Sequence, residues 1–180
     1  MQLTSQQTLP VSQLRAWAAL NDTDVLQASI PGCESLTQTG DNEYEVLLTA
    51  SVGPVKAKFK GKLKLSELLP PESYKIAFEG QGGAAGHGKG SASVRLEPTG
   101  EDTTTLHYSA NAQVGGKIAQ IGSRLIDMTA QKMAGEFFSK FETALREKYP
   151  VSEPPPAVED EKPGFLARMA LWFRRLFGSS

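Results

Sequence analysis

The chain is poor in the residues that staple or activate small proteins. Among its 180 residues are one cysteine and two histidines. A lone Cys33 cannot close an internal disulfide, and with two histidines it makes a structural zinc site an unsuitable reading. No metal site is expected. Charge of one sign is also missing: 19 basic and 20 acidic residues leave a formal net charge of -1. That balance excludes a generally basic nucleic-acid binder, and nucleic acid is not an expected partner. No apolar run reaches the roughly 18 residues that a membrane-crossing helix needs. The first ten residues, MQLTSQQTLP, lack a basic and then apolar stretch, so no secretory signal is expected. Catalytic signatures are absent as well. No GxSxG, HExxH or CxxC occurs, and Glu34 and Asp127 have no evident carboxylate partner in sequence. No catalytic residue is assigned.

What remains is a globular composition, 39% hydrophobic and 22% charged, long enough to bury a core without staples. Composition breaks near residue 150. Prolines at 150, 154, 155, 156 and 163, with Glu153, Glu159, Asp160 and Glu161 among them, predict an extended, self-repelling tether over residues 150–163. Residues 164–180 then turn apolar and basic. On a helical wheel Phe165, Leu166, Met169, Trp172, Phe173, Leu176 and Phe177 share one broad face, and Arg168, Arg174 and Arg175 lie opposite. Such a helix covers only about 20 Å, too short to cross a bilayer, and has the make-up of an interfacial anchor. The competing reading is a helix docked on the domain or on a protein partner.

Residues 1–149 read as strand, two short helices, several strands and a long helix. Gln2 to Leu9 form the first strand. Val11, Leu14, Trp17 and Ala18 recur at helical spacing behind Pro10, which suits a first turn. A second helix starts with Asp22 or Thr23 as its cap and stops at Ile30-Pro31-Gly32. From Ser35 the period is two. Tyr44, Val46, Leu48, Ala50 and Val52 face one way; after the Gly53-Pro54 turn, Val55, Ala57, Phe59, Gly61, Leu63 and Leu65 do the same. Lys56, Lys58, Lys60, Lys62 and Lys64 face the other, a solvated stripe that also offers positive potential to an anionic lipid or protein. Tyr74, Ile76 and Phe78, then Ala92, Val94 and Leu96, then Leu106 to Val114 continue an antiparallel meander. Residues 115–149 carry Ile118, Ile121, Leu125, Met128, Met133, Phe137, Phe141 and Leu145 at steps of three to five, predicting one helix of up to about 50 Å. The class is α+β, a curved antiparallel sheet with a long helix across its concave side.

The inward faces supply Tyr44, Val46, Leu48, Phe59, Leu63, Tyr74, Phe78, Val94, Leu106 and Tyr108, with Ile118, Ile121, Leu125 and Met128 from the helix. These are core in a solid domain. Alternatively, small residues among them (Ala50, Ala57, Gly61, Ala92, Ala110, Ala112) leave an apolar pocket of roughly 300–1,000 Å³. The tyrosine hydroxyls are then candidate partners for a ligand carbonyl. The glycine-rich stretch from Gly80 to Gly90 lacks GxxxxGK[ST], and is read as a bent hairpin or a mobile entrance rather than a phosphate loop.

The element order resembles the helix-grip fold of the START/Bet v 1-like (SRPBCC) superfamily. Within it the chain resembles the CoxG family of carbon monoxide dehydrogenase subunits, over about residues 1–149. The resemblance rests on Ile30-Pro31-Gly32-Cys33-Glu34-Ser35-Leu36, on Gly86-His87-Gly88-Lys89-Gly90 with Ala92 and Val94, and on Val114-Gly115-Gly116-Lys117-Ile118-Ala119-Gln120-Ile121-Gly122 with Arg124-Leu125-Ile126. It implies a hydrophobic-ligand domain at 1–149, a linker at 150–163 and an amphipathic membrane segment at 164–180. It also implies a non-catalytic accessory protein of an aerobic molybdenum-containing dehydrogenase complex, with no covalent cofactor and a quinone or lipid as its hydrophobic small molecule. The expected location is cytoplasmic, peripheral on the inner face of the membrane. An adaptor with a solid core, and a cyclase-type enzyme of the same superfamily, remain the other readings.

Overall fold

The computed structural model describes residues 1–150. The linker beyond Pro150 and the amphipathic segment 164–180 lie outside the described residues. Seven strands form one antiparallel sheet: β1 (Gln2–Leu9), β2 (Cys33–Gly40), β3 (Glu43–Val52), β4 (Val55–Leu69), β5 (Ser73–Gln81), β6 (His87–Gly100) and β7 (Thr103–Gly115), in the order β1-β7-β6-β5-β4-β3-β2. The helices are α1 (Gln13–Leu20), α2 (Thr23–Ser29) and α3 (Ser123–Lys148). The sheet curves around α3 in the helix-grip arrangement. Short connections link β2 through β7 in sequence, whereas α1 and α2 carry the chain from β1, beside β7, to β2 at the opposite edge.

Local chemistry sets the helix limits. Ser12 caps α1 by accepting from the Arg15 amide, so Pro10 stands ahead of the cap rather than in the first turn. The buried face of α1 is Ala16, Ala19 and Leu20. Leu14, expected inside, is 70% exposed, because the small alanines are what dock closely on the sheet. Asp22 caps α2, accepting from Asp24 and Val25 amides, and its carboxylate also pairs with Lys148 at the end of α3. The Lys148 hydrogen bond holds the Asp22 carboxyl below the ordinary carboxylate range.

The long helix starts later than its apolar spacing suggests. Gly116 (φ +77°) and Gly122 (φ +103°) bracket a short 3₁₀ turn, Ile118–Ile121, before α3 begins at Ser123. Two left-handed glycines break the run into turn and helix. The 26 residues of α3 span about 39 Å.

Burial is graded along the domain. At the end closed by α1 and α2 lie Leu9, Val11, Leu20, Leu96, Leu106, Phe141 and Leu145, all buried, with the Thr104 hydroxyl donating to the Val11 carbonyl at 2.8 Å. Toward the β3–β4 turn no inward residue of β3 past Val46 or of β7 past Leu106 is buried, and α3 buries only Phe141 and Leu145. The apolar interior is sealed at the α1–α2 end and less deeply buried toward the other, where Ile118 and Ala85 are the buried residues.

Candidate functional site

Between sheet and helix, toward the sealed end, lies a cavity of about 220 Å³. Tyr44, Leu63, Tyr74, Val94, Leu106 and Tyr108 of the expected set line it. Cross-strand register explains the grouping. Tyr74, Val94 and Tyr108 sit opposite one another on β5, β6 and β7, and Ile76, Ala92 and Ala110 form the next row. Nine further residues complete the lining: Leu20, Leu26, Ile30, Leu36, Leu65, Ile76, Ala92, Phe137 and Phe138. Leu65, Ile76 and Ala92 belong to the inward alternation already visible in sequence; the α1–α2 contribution had no such signal.

The other expected positions lie outside this cavity. Val46 packs with Leu36 and Tyr44 in a buried cluster that Leu48 flanks. The Phe59 ring covers Gly82, and the Phe78 ring lies beside Gly90, because glycine leaves room there for an aromatic face. Ile118 is buried in the 3₁₀ turn rather than on the helix. Ile121 and Leu125 pack at Gly53 of the β3–β4 turn, and Met128 is 57% exposed. On α3 the cavity is lined by Phe137 and Phe138, further along the chain than these four.

Aromatic rings shape the wall. Trp17 meets Tyr74 edge-on at 5.4 Å, and Tyr108 lies on Phe138 at 5.2 Å. Burial, with the neighbouring Tyr44, pushes the Tyr74 phenol well above its usual range, so it stays protonated and available as a donor. Among the described residues, the Tyr44, Tyr74 and Tyr108 hydroxyls have no hydrogen-bond partner. A mostly apolar wall with phenolic donors suits a ligand presenting an acceptor oxygen on an apolar body. The volume is smaller than the 300–1,000 Å³ range of whole ligand sites. It accommodates a ring.

Two larger depressions, about 1060 and 1020 Å³, lie on the outer face of the sheet. Lys62, Glu79 and Asn111 are among the residues that line one, and Thr4, Arg95 and His107 the other, and both lie open to solvent. They do not offer the apolar enclosure of the inner cavity. The lysine stripe is exposed on that outer face, but Lys58 pairs with Glu34 and Lys64 with Glu43. Lys62 stands in register between Glu45 and Glu79. Its positive potential therefore survives mainly toward the β3–β4 turn, at Lys56 and Lys60.

The glycine-rich stretch is not a phosphate cradle but a bent hairpin, in which β5 and β6 pair up to Gln81 and His87 around the 3₁₀ turn Gly83–Ala85. Gly86 (φ +117°) approaches β7 so closely that a Cβ would lie 2.3 Å from the Gly115 carbonyl oxygen. It is a seam where two backbones touch. His87 is exposed, and His107 pairs with Glu97 at 2.8 Å on the outer face. Burial pushes the Cys33 thiol up, making it a poor nucleophile. Asp127 Oδ1 is buried without a partner among the described residues. Among those residues no helix is long and apolar enough to cross a membrane.

The family model for CoxG, a carbon monoxide dehydrogenase subunit, matches residues 7–146. None of the curated proteins matches the chain. Among solved structures, a conserved protein from Geobacillus kaustophilus is 28% identical with a TM-score of 0.78, covering 82% of this chain and 96% of its own. A START superfamily protein from Mycobacterium smegmatis (10% identity, TM-score 0.63, 81% and 97% covered) shares the fold. So does the Zhui aromatase/cyclase from Streptomyces sp. R1128 (12%, 0.62, 84% and 98%).

Proposed function

The chain belongs to the CoxG family of carbon monoxide dehydrogenase subunits, and on that premise we propose that it is a non-catalytic accessory protein of a molybdenum-containing dehydrogenase. Its helix-grip domain carries a hydrophobic small molecule, a quinone or a lipid. Residues 150–163 act as a tether and residues 164–180 as an interfacial anchor, which together link the enzyme to the inner face of the cytoplasmic membrane. The observation that carries the reading is the apolar cavity with phenolic donors in its wall. Binding draws on removal of the ligand's apolar surface from water, about 25 cal/mol per Å² before association costs. Phenol donors favour a carbonyl-bearing ring over a plain hydrocarbon. The likeness to a cyclase, at 12% identity, concerns the fold alone and adds no catalytic group.

Native mass spectrometry of gently purified full-length protein, followed by lipid extraction, tests the cargo. The expected result is a stoichiometric hydrophobic adduct of one chemical class. Consistently empty protein that also ignores quinone analogues would overturn it. The anchor has its own test. Trp172→Glu with Phe173→Glu puts two charges on the apolar face of the terminal segment and is expected to abolish flotation with liposomes. Unchanged flotation would refute the anchor without touching the cargo.

A further inference from the structure

The ends of the sheet differ in charge. The β2–β3, β4–β5 and β6–β7 turns share one end and carry Asp41, Glu72, Glu101 and Asp102. The β3–β4 and β5–β6 turns and the segment joining β7 to α3 share the other, and hold no acid. Residues 49–60 and 115–132 at that second end contain six bases and one acid, Asp127, with Lys58 further paired to Glu34. Lys56, Lys117 and Arg124 are exposed there and form no ion pair among the described residues.

The same end is apolar at its tip. A Cβ at Gly53 would lie 2.7 Å from Leu125 Cδ2 and 3.3 Å from Ile121 Cγ2, so the β3–β4 turn, the 3₁₀ turn and the start of α3 are one packed unit. Pro54 projects from it into solvent, and Met128 is 57% exposed beside it on α3. Inward residues are less deeply buried at this end than at the other. A basic rim and an apolar tip coincide at this end.

We propose that this end of the domain seats on an anionic phospholipid bilayer, with the β3–β4 turn at headgroup depth. Charge complementarity selects the anionic surface, and the acidic turns at the far end orient the domain on it. An apolar tip favours a bilayer over a polar protein face, since a water-insoluble cargo needs an apolar medium to enter or leave through. The purpose of the contact rests on the carrier reading above; the contact is a separate claim about a separate surface.

The test uses the full-length chain with Cys33→Ser, whose thiol only donates weakly to the Ser35 carbonyl. An environment-sensitive fluorophore is placed on Pro54→Cys, and as a control on Glu101→Cys at the opposite end. Phosphatidylcholine vesicles containing phosphatidylglycerol are expected to blue-shift the Pro54 probe alone, and pure phosphatidylcholine to leave both unshifted. Removing three charges together (Lys56→Gln, Lys117→Gln, Arg124→Gln) should raise the vesicle concentration for half-shift at least about tenfold, with unfolding temperature unchanged. An unshifted Pro54 probe on a chain that still floats overturns the docking and leaves the anchor standing. So does a triple variant that keeps the shift but loses its hold on the dehydrogenase, which would assign the rim to an acidic protein surface. Cargo is read separately by native mass: a triple variant that holds cargo without shifting supports docking, and an empty wild type that still shifts sinks only the carrier reading.

Discussion

Phe141→Ala is expected to lower the unfolding free energy by about 3–5 kcal/mol. The ring is fully buried and stacked on Phe137 at 5.5 Å between centroids, 13° from parallel. It sits where α3 closes the sealed end, beside the equally buried Leu145. Against a typical domain stability of about 5–15 kcal/mol, the loss consumes a large fraction of the total. For a domain of this size it corresponds to a fall of about 10 °C in unfolding temperature. Met128→Ala is the matched control: the same helix, but a half-exposed side chain, and a change within about 0.5 kcal/mol. Urea unfolding of both variants checks the contrast. Equal effects would mean that α3 is not anchored at one end, and that the graded burial does not describe the molecule in solution.

That contrast also shows where sequence reasoning worked and where it stopped. The alternation of Lys56 to Lys64 with Val55 to Leu65 assigns a face to every residue of β4, because a strand's side chains can only alternate. Asp22 as the α2 cap and Gly53-Pro54 as the turn follow from equally local chemistry. Membership of a face does not give depth along it. Leu63 and Phe59 share the inner face of β4, yet Leu63 lines the cavity while Phe59 covers Gly82. The difference lies in the register across four strands and the skew of the helix above them, which no window of sequence contains. The start of α3 failed for a related reason. The apolar spacing of Ile118, Ile121 and Leu125 continues through Gly122, but the backbone there is left-handed and the helix begins after it. The contribution of Leu20, Leu26 and Ile30 to the cavity depends on how the α1–α2 pair closes the sheet end, a purely tertiary fact.

Ala92→Phe is expected to abolish cargo binding, by a factor of about one hundred or more, while the domain stays folded. Ala92 stands between Ile76 and Ala110 on the inner face, and its methyl lines the 220 Å³ cavity. A benzyl group there extends into existing space, so the overpacking cost of about 1–3 kcal/mol that a filled core would impose is largely avoided. The space it takes is what a ring-shaped ligand would need, and the loss in affinity is steric. Ser93→Phe supplies the control, since the next residue of β6 faces outward and is exposed. It should keep both stability and cargo. Titration with a quinone analogue, read alongside thermal unfolding, separates three outcomes. A folded Ala92→Phe protein without cargo supports a carrier whose ligand lies between sheet and helix. A folded protein that binds undiminished places the ligand elsewhere. An unfolded one means that the core is solid, and then the family's role in this chain would have to be carried by its surface alone.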